Sequence, residues 1–288
     1  MYWLPIALCT ALLAATSDAF TKAYLRPFGA ANMALGRVMA PVLFLSPILL
    51  GISWPRLDAT FWYTLMALLP LETVALILYM EALKVSPLSL TVPFLAFTPA
   101  FMIITGAIIL GEHLKTTGIL GILLIVIGSY CLHMEGAKMG LAAPFKAIFQ
   151  EKGSVLMLLV AFIYSITSVL GKLAIKHSNP LFFACFYFII HGLFATGIIT
   201  LFLKLNPLTI LTKSPKGVLL VGLSQSAMVI THMWAISLAP AAYMIAVKRL
   251  SVLFGVLIGC IFFKEEGLAF RSLGAAIMVA GVFLICLT

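Results

Sequence analysis

Two adjacent cationic residues, Lys248 and Arg249, lie inside a long apolar stretch that runs from residue 241 to residue 263. At 1.5 Å per residue they would lie about 11 Å into a helix that begins near residue 241. A charge that deep in a bilayer costs several kcal/mol unless it is paired or faces a water-filled cavity. Arginine can donate two parallel hydrogen bonds to a carboxylate or phosphate, and lysine adds a mobile point charge. The pair therefore predicts a site for an anion.

Glu72 lies near the middle of another apolar stretch, residues 60–83, at a depth similar to that of Lys248. Two interpretations of this carboxylate stay open. It could form a structural ion pair with the two cations. It could instead lose its cationic partner to an incoming anion and take up a proton, which would couple anion binding to proton binding.

Further polar residues in apolar stretches are candidates for the same site: Gln225, His232, Tyr79, Arg37 and Trp234. Each has a structural alternative, because lone polar residues in membrane helices also form interhelical hydrogen bonds. Arg37 could equally extend toward the lipid headgroups. Asp18 and Lys22, spaced i, i+4, are predicted to form a local ion pair.

The composition requires lipid as the solvent. The 288 residues are 63% hydrophobic and 9% charged, which is more apolar side chain than one water-soluble core can bury. A bilayer core needs about 20 apolar residues per helix. Apolar runs between Pro, Gly and charged residues predict ten helical spans: 3–22, 32–53, 60–83, 88–110, 117–134, 154–176, 180–203, 217–237, 241–263 and 268–287.

An internal repeat relates the two halves of the chain. A shift of 153 residues aligns 80–134 with 233–287 without a gap, and it also places Glu72 on Gln225 and Tyr79 on His232. The predicted units are residues 1–134 and 154–288, joined by a loop at 135–153. Because each unit has an odd number of spans, the second is inverted relative to the first, an arrangement typical of secondary transporters.

The repeated segments resemble the drug/metabolite transporter superfamily, in particular its EamA-type members. The resemblance covers the whole chain and rests on Ala82-Leu83-Lys84, Pro99 and Leu110–Leu114 in the first unit, and on Ala235-Ile236 and Phe263–Glu266 in the second. It implies ten helices in two five-helix units and a carrier of small metabolites. Lys248-Arg249 also resembles the Lys-Arg pair of sugar-phosphate and nucleotide-sugar translocators. Those carriers have a further lysine in the first unit, where this chain has Leu95.

We therefore predict an all-α secondary transporter of a small anionic or zwitterionic metabolite in the plasma or inner cell membrane. The alternatives are a flippase for a lipid-linked anion and a membrane enzyme or accessory protein. The sequence contains no clustered histidines and no HExxH motif, so we expect neither an enzyme, a metal nor a cofactor. Expected partners are the substrate, membrane lipid and, through terminal helices, a second copy of the chain.

Two acidic residues that recur at the repeat distance, Glu112 and Glu265, are predicted to cap the following helix or to pair with a nearby lysine such as Lys115 or Lys264. Glycines at helical spacing near the end of each unit predict close helix packing within the chain. The loops after the odd-numbered spans carry most of the Lys and Arg, which favours cytoplasmic placement of that face. The resemblance implies the opposite orientation, and the choice stays open.

Overall fold

The computed structural model describes residues 2–86, 92–133, 151–206, 208–263 and 268–288. Its first half contains α1 (Trp3–Phe20), α2 (Ala30–Gly51), α3 (Ala59–Val85), α4 (Thr98–Leu110) and α5 (Thr116–His133). A π-helical turn, Thr21–Leu25, and a 3-10 turn, Arg26–Phe28, follow α1. Another 3-10 turn, Val92–Phe97, precedes α4.

The second half repeats this order. It contains α6 (Lys152–Lys176), α7 (Pro180–Leu203), α8 (Pro215–Leu238), α9a (Ala241–Lys248), α9b (Ser251–Phe263) and α10 (Leu268–Cys286). A short helix, Leu208–Lys213, lies between α7 and α8. The two parts α9a and α9b form one discontinuous span, α9.

Within the described part of the chain, seven helices are long and apolar enough to cross a membrane, and three shorter apolar helices accompany them. Together they correspond to the ten predicted spans, so the prediction of an all-α membrane protein is confirmed. Of the predicted connecting loop 135–153, residues 135–150 lie outside the described residues, and α6 begins at Lys152.

Two helices begin at side-chain caps, which satisfy backbone donors that no helical partner can reach. The Asp58 carboxylate accepts a hydrogen bond from the Phe61 N–H at 2.9 Å at the start of α3. The Asn179 side-chain oxygen accepts one from the Phe182 N–H at 2.7 Å at the start of α7, where Pro180 is the first helical residue. Both caps lie on the side of the molecule that carries the chain termini, which we call the termini face. The opposite side is the loop face, where Ser214 donates to the Tyr24 carbonyl.

The two halves pack on each other through equivalent helix pairs. α3 packs along α6, and its repeat equivalent α8 packs along α1. α5 and α10 cross at glycines, because a Cβ on Gly121 or Gly128 would lie 2.6 Å from the carbonyl oxygen of Gly281 or Gly274. This crossing agrees with the prediction that these glycines allow close helix packing within the chain.

One pair of equivalent contacts is unequal. α2 packs along α8, where a Cβ on Gly222 would meet the Phe44 ring and the Ala40 carbonyl. The equivalent helices α7 and α3 have only marginal contact. Their ring contacts, from Phe61 to Phe182 and Phe186, lie at the termini face. α3 and α7 therefore meet at that face and diverge toward the loop face.

Candidate functional site

A cavity of about 380 Å³ lies between the two halves. Polar side chains from seven helices line it together with apolar and aromatic ones from α3, α7, α8 and α9a. The polar lining residues are Arg37, Glu72, Thr98, Tyr164, Thr167, Ser168, Tyr187, Gln225, His232, Lys248, Arg249 and Ser251.

The discontinuity in α9 brings Lys248 and Arg249 to this cavity. Between α9a and α9b the chain makes tighter turns, with the Leu250 N–H bonded to the Val247 carbonyl and the Val252 N–H to that of Arg249. Three-residue turns within a helix often mark functional positions. The first half has its own 3-10 turn before Thr98, and the 153-residue shift places Thr98 on Ser251. Both repeats thus change helix type at the same position, but only the second carries cations there.

Arg249 connects α9 to the start of α4. Its Nη2 donates a hydrogen bond to the Thr98 hydroxyl at 2.8 Å. Its Nε is buried and has no hydrogen-bond partner among the described residues. A buried guanidinium donor without a partner is costly, so this N–H is free for an acceptor that enters the cavity.

Lys248 lies against a histidine. Its Nζ is 2.7 Å from Nδ1 of His232, which is 8% exposed. The ion pair with Glu72 that was left open above is not formed: among the described residues, no ion pair joins Glu72 to Lys248 or Arg249. Glu72 lines the cavity beside Thr167 of α6 instead. Glu72 and Lys248 were predicted to lie at similar depth, but Lys248 contacts His232 of α8 instead of the Glu72 carboxylate.

Arg37 and Gln225 also line the cavity, and each has a protein partner. Arg37 forms an ion pair with Asp18 of α1, and the Gln225 side-chain oxygen accepts a hydrogen bond from Ser17 at 2.8 Å. Arg37 therefore points into the protein rather than to the headgroups. The ion pair of Asp18 thus reaches a residue of another helix, α2, in addition to whatever the local i, i+4 spacing with Lys22 allows.

Tyr79 and Trp234 are not among the residues that line the cavity. Tyr79 lies two turns from Glu72 on α3 and packs against an apolar cluster around Ala75 and Phe94. Trp234 is 50% exposed. It follows His232 by two residues, about 200° around the helix, so it faces away from the cavity.

The sequence reasoning did not identify Thr98, Tyr164, Thr167, Ser168 or the aromatic residues of α7 as cavity residues. The repeat relation of Thr98 to Ser251 was the one available signal, since both hydroxyls follow the same discontinuity. Phe183 and Tyr187 stack along α7 with ring centroids 5.2 Å apart, and both line the cavity. The Tyr187 hydroxyl is buried without a hydrogen-bond partner among the described residues.

Glu112 closes the cavity at the termini face. Its Oε1 accepts from Lys172 at 2.5 Å, and its Oε2 accepts from the Ala241 N–H at 2.9 Å, the first residue of α9a. Lys172 also donates to the Ala239 carbonyl. The capping role predicted for Glu112 is thus realised on a helix of the other half rather than on the helix that follows. Lys115 donates to the Thr288 carbonyl instead, and Lys264 and Glu265 lie outside the described residues.

A further polar contact between the side chains of His177 and Asp58 lies at the termini face. His177 Nδ1 is 2.7 Å from the Asp58 carboxylate, which also caps α3. The Phe61 N–H and the His177 ring hold the pKa of Asp58 below its ordinary value. The pair joins the turn before α3 to the turn before α7.

Comparison with known proteins agrees with this architecture. The sequence matches the EamA-like transporter family over residues 1–134 and 151–287. It is 28% identical over 188 residues to an uncharacterised transporter of Methanothermobacter thermautotrophicus, and the match covers 64% of this chain and 52% of that relative. The chain therefore spans about half the length of this curated relative. A crystal structure of another protein has a similar fold, with a TM-score of 0.74 at 15% identity over 99% of this chain and 96% of the other.

Proposed function

Since this chain belongs to the EamA-like transporter family, we propose that it is a secondary transporter that carries a small anionic metabolite through the central cavity. The observation that carries the proposal is Arg249, whose buried Nε has no partner and which lies next to Lys248 in the cavity wall. A carboxylate or phosphate oxygen would satisfy this donor and neutralise the charge beside it. We place the carrier in the cell membrane.

The charges around the cavity favour an anion over a zwitterion. Arg37 and Asp18 neutralise each other as an ion pair. Counted by formal charge, Lys248 and Arg249 contribute two positive charges to the wall and Glu72 contributes one negative charge, which leaves one net positive charge. A carboxylate or phosphate on the substrate would offset the two cations where they meet the cavity, and a bare cation in a low-dielectric interior is unfavourable.

The cavity suits a small molecule with an apolar part. Its volume of about 380 Å³ lies at the lower end of the range for ligand sites. Its wall also includes the apolar side chains of Phe183, Phe188, Met228 and Met233. These side chains would contact the carbon skeleton of a carboxylate or phosphate ester.

The inverted halves support alternating access. The Glu112 network joins the two halves at the termini face, and α3 and α7 diverge toward the loop face. If the two halves exchange conformations, α7 and α3 pack as α8 and α2 do here, and the opening moves to the other face. The discontinuous α9 provides a place where this change can bend a span.

Binding is the first test. Purified protein in detergent would be heated with pyruvate, gluconate or glycerol 3-phosphate, each paired with an uncharged analogue: pyruvamide, gluconamide or glycerol. We expect at least one anion to raise the melting temperature, since a ligand at 100 times its Kd stabilises the folded state by about 2.7 kcal/mol. Arg249→Gln should weaken its binding by roughly 30-fold or more, the loss for one partner of a buried charged pair.

The matched control is Arg56→Gln, which removes an exposed arginine from the turn before α3. It should leave the shift unchanged. Exchange of the same radiolabelled anion across proteoliposomes, without any ion gradient, then tests transport itself. Binding without exchange would contradict a carrier and favour an enzyme or accessory protein, whereas movement of a lipid-linked anion alone would favour a flippase.

A further inference from the structure

The contact between Lys248 and His232 restricts where protons can reside in the empty cavity. The two nitrogens, Nζ and Nδ1, are 2.7 Å apart. A lysine ammonium has donors and no acceptor, so the imidazole must present a lone pair at Nδ1. While Lys248 is charged and the contact is intact, His232 is therefore neutral.

A second proton on this pair is disfavoured in the empty protein. It would put an N–H on Nδ1 facing the ammonium, so that the hydrogen bond is lost and two like charges meet in a buried site. The charged and titratable groups around the pair are Arg249 of α9, Glu72 of α3, the Arg37–Asp18 pair of α2 and α1, Tyr164 of α6 and Tyr187 of α7. Their formal charges sum to zero, so with Lys248 the site already carries one net positive charge.

An anion in the cavity removes both obstacles. It accepts N–H groups of Lys248 and Arg249. Because an ammonium has three donors and can bond both groups, His232 takes up a proton only when Lys248 turns toward the anion and leaves Nδ1. The anion also adds a negative charge beside the two cations. The freed imidazole can then bind a proton from the solvent that enters the cavity.

We propose that His232 is the coupling-proton site of this carrier: each anion bound by Lys248 and Arg249 is accompanied by one proton on Nδ1 of His232, and the two are carried together. This rests on the proposed transport function. No covalent bond changes; the proton enters from one side and leaves to solvent on the other with the anion. For a monovalent anion, the loaded cavity has the same net charge as the empty one.

This site differs from the one expected from the sequence, where Glu72 was the coupling candidate. Glu72 lies beside Thr167 and is not ion-paired with Lys248, so departure of Lys248 breaks no direct contact of the carboxylate. His232 is in direct contact with the lysine that the anion would claim.

The test uses proteoliposomes and radiolabelled pyruvate, gluconate or glycerol 3-phosphate, whichever gives the largest thermal shift. One pH unit, acidic outside, corresponds to about 1.4 kcal/mol and should drive about tenfold accumulation at one proton per monovalent anion. His232→Asn keeps an acceptor for Lys248 but cannot be protonated. It should abolish this accumulation, and exchange of the same anion without a gradient is measured beside it.

His191→Asn is the matched control, because His191 is also buried in a membrane helix but does not line the cavity. It should keep both exchange and accumulation. Glu72→Gln, made in parallel, tests the carboxylate as the alternative proton site and should keep the response to the gradient. Persistent tenfold accumulation in His232→Asn would overturn the proposal. Loss of accumulation in Glu72→Gln, with accumulation retained in His232→Asn, would overturn it as well. Loss of exchange as well as accumulation in folded His232→Asn would make His232 a substrate-binding residue and also overturn it. Absence of exchange in the unaltered protein would instead overturn the transport function.

Discussion

Two ion pairs lie near opposite ends of the cavity, and their exposure differs. The Lys172 and Glu112 side chains at the termini face are 7% and 14% exposed. The Arg37 and Asp18 side chains, nearer the loop face, are 37% and 55% exposed. Both pairs join helices of the membrane domain, but only the first also bonds to the backbone at the start of α9a. The comparison indicates a cavity that is sealed at the termini face and accessible from the loop face.

Aromatic packing explains why the seal is at that end. The rings of Trp54, Phe61, Phe182 and Phe186 contact one another where α3 and α7 meet. Toward the loop face, α2 packs against α8, and α3 and α7 diverge. Since the halves share one fold, the proposed exchange of conformations between them would reverse this inequality.

The largest expected effect comes from breaking the sealed pair. Lys172→Met leaves the Glu112 carboxylate buried without its cation, which typically costs about 3–5 kcal/mol. We expect the free energy of unfolding in detergent to fall by that amount. The double variant Glu112→Gln/Lys172→Met should lose less than the sum of the two single changes, because they share one interaction.

The control for that experiment is Lys176→Met, one turn further along α6, where the lysine is exposed. Its unfolding free energy should change by no more than about 0.5 kcal/mol. Equal effects of Lys172→Met and Lys176→Met would mean that the buried network does not stabilise the sealed end.

The accessible pair should matter less to stability. Arg37→Gln removes a cation from a pair that is more than a third exposed, so solvent screens the loss. We expect the unfolding free energy to change by about 0–1 kcal/mol in the same assay. A loss as large as that of Lys172→Met would show that the loop-face end is packed as firmly as the termini face, and the comparison of the two ends would then fail.

The smallest effect concerns pH at the rim of the sealed end. The pKa of Asp58 is below its ordinary value of about 3.9 because it accepts from the Phe61 N–H and lies beside His177. Its contribution to stability is therefore present above the ordinary pKa and is lost as pH falls through the lowered one. Asp58→Asn should reduce the drop in melting temperature between pH 5 and pH 3. An unchanged drop would assign the acid sensitivity to other carboxylates.

Much of the fold was predictable, for a physical reason that residues 241–263 illustrate. A bilayer demands runs of about 20 apolar residues with internally bonded backbone, so spans are visible in the sequence. The position of Lys248-Arg249 within such a run predicted a cavity, since lipid does not tolerate bare charges there. Lys248 and Arg249 do line a cavity. Their role in binding substrate stays a prediction.

Side-chain direction was harder to predict. Trp234 and His232 are two residues apart on α8, yet one is half exposed and the other buried against Lys248. Helix rotation about its own axis depends on which neighbours it packs against. The repeat shift identified equivalent positions but not their surroundings, which is why Tyr79 was grouped with His232 although it packs against an apolar cluster and does not line the cavity.

Apolar run length, the 153-residue repeat and isolated intramembrane charges are local or periodic properties, so the amino-acid order alone establishes the ten spans, the two related halves and the depth of the cations. Partner choice is different. Asp18 pairs with Arg37 of another helix, Glu112 with Lys172, and Lys248 with His232 rather than Glu72. These choices depend on which helix faces come within about 3 Å of one another, and that distance is set by packing between segments far apart in the chain.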